Sequence, residues 1–147
     1  MSVLVDTSRG GRGAKKLEPL LRRRATAFLK KLKLSRCELS VALVEDEEIR
    51  ALNKRWRRKD KATDVLSFPA GDWPGPGDRP LGDVVISLPT TRRAAREYGH
   101  SLEAELSRYL AHGLLHLLGH DHLRPAQSAK MATAEAQLLG RAGMLGG

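Results

Sequence analysis

The chain has 147 residues, 41% hydrophobic and 29% charged; this fits one globular domain with its own core and excludes a disordered or fibrous chain. A single cysteine rules out an internal disulfide scaffold, and a net charge of +9 favours an anionic partner. No run approaches the roughly 18 apolar residues of a membrane span, and "MSVLVDTSRG" lacks a basic-then-apolar secretory signal, so no membrane partner and a cytoplasmic location are expected.

In chain order, "SVLVD" (2–6) reads as a short strand. Leu17, Leu20, Leu21, Ala25, Phe28, Leu29 and Leu32 then recur at three- and four-residue steps, the mark of an amphipathic helix. "CELSVALV" (37–44) alternates as a strand, with Cys37 a small strand residue and no redox centre. "EDEEIRALNKRWRR" (45–58) opens with acids and closes with bases, as a helix macrodipole prefers. "TDVLSFP" (63–69) and "LGDVVISLP" (81–89) read as strands stopped by proline, joined by the Gly- and Pro-rich loop 70–80.

"TTRRAAREYG" (90–99) predicts a short helix ending at Gly99. Ser101 caps the next one, whose apolar face is Leu102, Leu106, Tyr109, Leu110, Leu114, Leu117 and Leu118 and whose end is Gly119. A last helix is expected from about Pro125 to Leu139, followed by a frayed tail around 141–147. The sum is an α+β fold, a small mixed sheet layered with helices in a single domain over 1–147.

Charge is unevenly placed. Residues 1–61 carry 18 Lys and Arg against 8 Asp and Glu, whereas residues 62–147 carry 8 against 9. The first part is therefore the side expected to face a polyanion.

Four of the five histidines fall in "HGLLHLLGHDH" (112–122), inside an otherwise apolar helix. His112 and His116 lie one helical turn apart on the same side, where two imidazoles can bind one ion without bending the backbone. Gly119 lets the chain turn back, and His122 can swing round as a third ligand. H-x3-H-x2-G-x2-H is the ligand skeleton of the metzincin proteases. Three ligands and an open fourth position suit a catalytic zinc rather than a structural one. His100 lies outside this spacing and reads as a loop or cap residue. His120 reads as an exposed turn residue or a spare ligand, and Asp121 as a group that orients a ligand histidine. The glutamate that follows the first histidine in those proteases, their general base, is replaced here by Gly113, which disfavours ordinary zinc proteolysis.

With these residues in view, the sequence resembles the YbeY family of bacterial metal-dependent endoribonucleases, which act in ribosomal RNA maturation and ribosome quality control. "LNKRWRRKDKATDVLSFP" (52–69) and "LGDVVIS" (81–87) resemble that family's other signatures, in the expected order, and the similarity spans roughly residues 38–140. The family has tyrosine where His120 stands, and "RGGRGAKK" (9–16) matches none of its motifs. The resemblance implies a mixed four-stranded sheet with helices and a metal site at the end of a central helix. It also implies one zinc held by His112, His116 and His122, single-stranded RNA as substrate, and partners in ribosomal RNA and the small ribosomal subunit. Arg57 takes the place of the family's phosphate-holding arginine, with Arg55, Lys59 and Lys61 as further substrate contacts.

A guanidinium suits a phosphate because it donates in a planar fork and keeps its charge. Asp64 and Ser67 can line the cleft, although Asp64 equally reads as a turn residue and Thr63 as a cap. Trp56 can stack on a base, but an aromatic anchoring its own helix in the core is the reading preferred here. Three functions follow: an RNA hydrolase in which zinc activates water, a zinc peptidase-like enzyme opposed by Gly113, and a non-catalytic ribosome-binding factor stabilised by zinc.

Overall fold

A computed structural model describes residues 2–71, 75, 77–120 and 125–144. Strand β1 (Ser2–Arg9) leads through a single 3-10 turn to helix α1 (Glu18–Lys31), then strand β2 (Cys37–Val44) and helix α2 (Asp46–Arg57). Strands β3 (Val65–Pro69) and β4 (Arg79–Ser87) follow, then helices α3 (Leu88–Tyr98), α4 (Leu102–Leu117) and α5 (Pro125–Met144). The sheet order is β1-β2-β4-β3. β1, β2 and β4 run parallel and β3 pairs antiparallel with β4, so the sheet is mixed and the fold is α+β.

Register places Val41 of β2 between Val5 and Val84, so alternate residues of the three parallel strands share a face. On one face Val3, Leu39, Val41, Leu43, Val84 and Ile86 meet Leu21, Phe28 and Leu29 of α1 and Leu106, Leu110 and Leu114 of α4 in the main core. On the other, Ile49 of α2 packs with Val44, Leu66 and Val85 in a smaller core. α4 lies across β3 and β4 with α1 and α5 beside it, which makes it the central helix. Cys37 is buried, as a small strand residue should be.

Two boundaries differ from the sequence expectation for a physical reason. Leu88 and Pro89 do not continue β4 but open α3, two residues before the expected start. Ser87 caps that helix by accepting from the Thr90 N–H, and proline fits the first turn because no intrahelical partner is lost there. α5 runs on to Met144, broken at Gly140, whose φ of 63° and ψ of −158° are not helical. β1 also runs on to Arg9, and β4 begins at Arg79, inside the expected loop. The expected ends of α4 hold: Ser101 accepts from the Ala104 N–H at 3.1 Å, and Gly119 follows the helix with φ of 95°, a conformation that costs glycine little.

Gly113 is set by packing. A Cβ there would lie 2.6 Å from Val84 Cγ1 and 3.2 Å from both Ser67 Oγ and Val65 Cγ2, so α4 rests directly on β3 and β4 at this point. The buried Ser67 hydroxyl donates to the Gly113 carbonyl at 2.8 Å and pins the contact. Gly113→Glu is expected to cost about 3–5 kcal/mol of stability, because it overpacks the sheet and buries a carboxylate. Thermal or denaturant unfolding measures it, and an unchanged midpoint would contradict the packing account.

Candidate functional site

Four polar residues of α4 form one stripe. Glu105, Tyr109, His112 and His116 succeed one another at four-, three- and four-residue steps, and therefore share a face of the helix. That stripe explains the imidazoles in an apolar segment: its C-terminal half, His112 and His116, is half-buried and lines a cleft, while Ala111, Gly113, Leu114 and Leu115 beside it are buried.

His112 and His116 face each other edge to face, their ring centroids 4.6 Å apart. Their Nε2 atoms are 3.1 Å apart. Two ligands held about 2.0–2.1 Å from one tetrahedral ion sit about 3.3–3.4 Å from each other, so the pair converges as a chelating pair does. On its far side, His112 Nδ1 lies 2.7 Å from Glu135 Oε1 of α5. An ionised carboxylate only accepts, so this contact uses Nδ1 as the donor and turns Nε2 towards His116. The donor set thus fits a divalent transition metal. His122, expected as third ligand, and Asp121 lie outside the described residues; among the described residues no group of three His, Cys, Asp or Glu could hold a metal.

The two histidines form one wall of a cleft of about 750 Å³. Arg57, Lys59 and Lys61 line it from the end of α2 and the loop beyond, and Thr63, Asp64, Val65, Ser67 and Pro69 line it from β3 and its approach. Arg57 donates to the Ser67 carbonyl at 2.7 Å, which fixes one arm of its guanidinium at the rim. The loop after α2 is folded back on the helix. Arg58 takes a left-handed conformation with φ of 59°, which costs a non-glycine residue about 1–2 kcal/mol. The buried Asn53 offsets this by donating to the Lys61 carbonyl at 3.0 Å, and Arg50 pairs with Asp60 at 2.8 Å. These contacts hold Lys59 and Lys61 towards the cleft.

The remaining expected residues fall as follows. Asp64 ties down a turn, accepting from the Val65 N–H at 2.7 Å and from the Thr63 hydroxyl at 3.3 Å. Ser67 lines the cleft, but its hydroxyl is committed to α4. His100 stands in the loop before α4, next to the capping Ser101, with Nδ1 2.8 Å from Oε1 of the buried Glu105. His120 is half-buried just past the helix, its N–H donating to the Leu115 carbonyl. Tyr109 is held neutral, its phenol raised above the usual range first by burial and then by the carboxylates of Asp64 and Glu105. Arg55 is not among the cleft residues; its guanidinium carbon sits 5.1 Å from the Trp56 ring centroid.

One expectation is overturned. Trp56 does not anchor α2 in the core, because 59% of it is exposed. Trp56 follows Ile49, Leu52 and Asn53 at helical spacing and so shares their face of α2, but it stands in the last turn, outside the smaller core, and meets Phe68 instead. Two residues escaped the sequence reading. Glu135 is the only acid between residues 125 and 144, a signal that a carboxylate there is not mere solubility. Asn53 sits on the apolar stripe of α2, where a polar residue needs a partner.

Comparison with known proteins places this geometry among relatives. The family described as endoribonuclease YbeY matches residues 7–143. An endoribonuclease YbeY of Myxococcus xanthus is 65% identical over 123 residues, 82% of this chain and 42% of its own length. One from Anaeromyxobacter dehalogenans is 55% identical over 137 residues, 93% of this chain and 68% of its own. One from Aquifex aeolicus is 54% identical over 106 residues, 72% of this chain and 70% of its own. The chain therefore spans less than half of the first relative and about two thirds of the other two. The solution structure of a Thermotoga maritima protein matches with a TM-score of 0.59 at 27% identity, over 97% of this chain and 93% of that one.

Proposed function

The chain belongs to the endoribonuclease YbeY family, and from that membership we propose that it is a metal-dependent endoribonuclease cutting single-stranded RNA, with residues 1–147 acting as one domain. The observation that carries the reading is the meeting of two converging imidazoles with Arg57, Lys59 and Lys61 on one cleft. Neutral nitrogen donors suit a metal, and three cations suit a phosphodiester backbone.

In this reading His112, His116 and His122 hold one zinc ion. Bound there, zinc acts as a Lewis acid and brings the pKa of water near 7. Glu135 orients His112. Arg57, steadied by the Ser67 carbonyl, turns its remaining N–H groups to the scissile phosphate and stabilises charge that builds on its oxygens. Lys59 and Lys61 neutralise the backbone on either side, and Arg55 meets the strand just outside. The substrate is ribosomal RNA and the role its maturation and quality control, in the cytoplasm, with the small ribosomal subunit as partner. Gly113 speaks against the peptidase reading, since a glutamate in its place would be driven into β4.

Incubating metal-loaded protein separately with single-stranded RNA, duplex RNA and an unfolded protein tests the proposal. Cleavage of the single strand alone is expected, with binding that weakens steeply as salt rises. Cleavage of the unfolded protein would overturn it. Glu135→Ala is expected to weaken metal binding about 10–100-fold, as read by competition with a chelator; unchanged affinity would make Glu135 a packing residue only.

A further inference from the structure

Among the described residues the indole of Trp56 is the largest exposed apolar side chain, outside both cores, and basic residues adjoin it in the sequence on both sides. We propose that Trp56 is a stacking platform for an unpaired nucleobase, beside the phosphate that Arg57 grips. The inference rests on the RNA-cleaving reading above and adds a base-binding subsite to it.

Phe68 of β3 links the two residues. Its ring and that of Trp56 form a T-shaped pair, with centroids 6.5 Å apart and planes at 70°, and the Arg57 guanidinium carbon lies 5.9 Å from the Phe68 ring. The contact holds the indole against β3 while 59% of the residue stays exposed. Arg55 lies 5.1 Å from the ring centroid, where a guanidinium and a base can share the indole. Lys54, Arg57, Arg58, Lys59 and Lys61 surround it in the sequence. An aromatic face set in a cationic groove is the combination that binds single strands with little sequence preference, because every base has a π-face. Duplex RNA keeps its bases stacked on each other and offers none to the indole. The platform therefore favours unpaired substrate. A solvated apolar residue with no ligand would gain nothing from this position and would give up the burial that stabilises most tryptophans.

The test is equilibrium binding to the full chain of a short single-stranded RNA and of the same strand with its bases removed, at several salt concentrations. For Trp56→Ala, affinity for the intact strand is expected to fall about 5- to 100-fold. Trp56→Phe should recover most of it. The salt dependence should stay that of the parent, since no phosphate contact is lost. The abasic strand should bind parent and Trp56→Ala alike. Metal content and melting temperature should match the parent, because the ring is outside the core. Trp56→Ala binding the intact strand as tightly as the parent would overturn the platform, and would leave Trp56 as an anchor for a protein instead. A parent that shows no salt-dependent RNA binding would overturn the RNA-cleaving reading, and the platform with it.

Discussion

Replacing His116 by alanine is expected to empty the metal site and abolish RNA cleavage, while most of the affinity for RNA remains. The two Nε2 atoms are 3.1 Å apart, so each histidine supplies half of the described donor pair. A site of three ligands that loses one no longer holds a transition metal against solvent. His112→Ala should fail in the same way, and with it the Glu135 contact loses its purpose. RNA affinity survives because it is spread over many lysines and arginines, not the histidines. His100→Ala leaves the metal in place, since that imidazole serves the buried Glu105. Elemental analysis, RNA binding and single-turnover cleavage on the same proteins separate these effects. Full metal occupancy in His116→Ala would contradict the site.

Arg57→Ala is expected to keep its metal and to lose about 10²–10³ in turnover, the scale of one transition-state donor. Its guanidinium has one arm on the Ser67 carbonyl at 2.7 Å, so the group is already oriented before substrate arrives. Arg57→Lys should recover little: an ammonium keeps the charge but cannot serve the carbonyl and a phosphate in one plane. If Arg57→Ala cleaves like the parent, the phosphate must be held by Lys59, Lys61 or Arg55.

Much of this was legible in the residues because it depends on local periodicity. The α4 stripe follows from a three- and four-residue rhythm, and its ends from Ser101 and Gly119. The histidine pair was readable for the same reason. What needed tertiary structure was legible only in part. Glu135 is 23 residues from His112, and no pattern in a single sequence states that α5 returns to α4. Gly113 looked like a missing base; in the fold it is the point where a helix touches a sheet, and its neighbours Val84 and Ser67 come from two other strands. Trp56 was misjudged because an aromatic in an amphipathic helix usually turns inward. Here it shares the face of Ile49 and Leu52 but falls in the last turn of α2, beyond the residues that the smaller core packs. Pro89 was misread because proline ends strands and starts helices equally well, and only the Ser87 cap decides between them.

The most direct measurement follows single-strand cleavage while zinc is titrated into the metal-free full chain, with occupancy read on the same samples. The account predicts a rate that rises in proportion to occupancy of a single site and stays at zero in His116→Ala at the same total zinc. Cleavage by the metal-free chain, or an equal rate in His116→Ala, would contradict it.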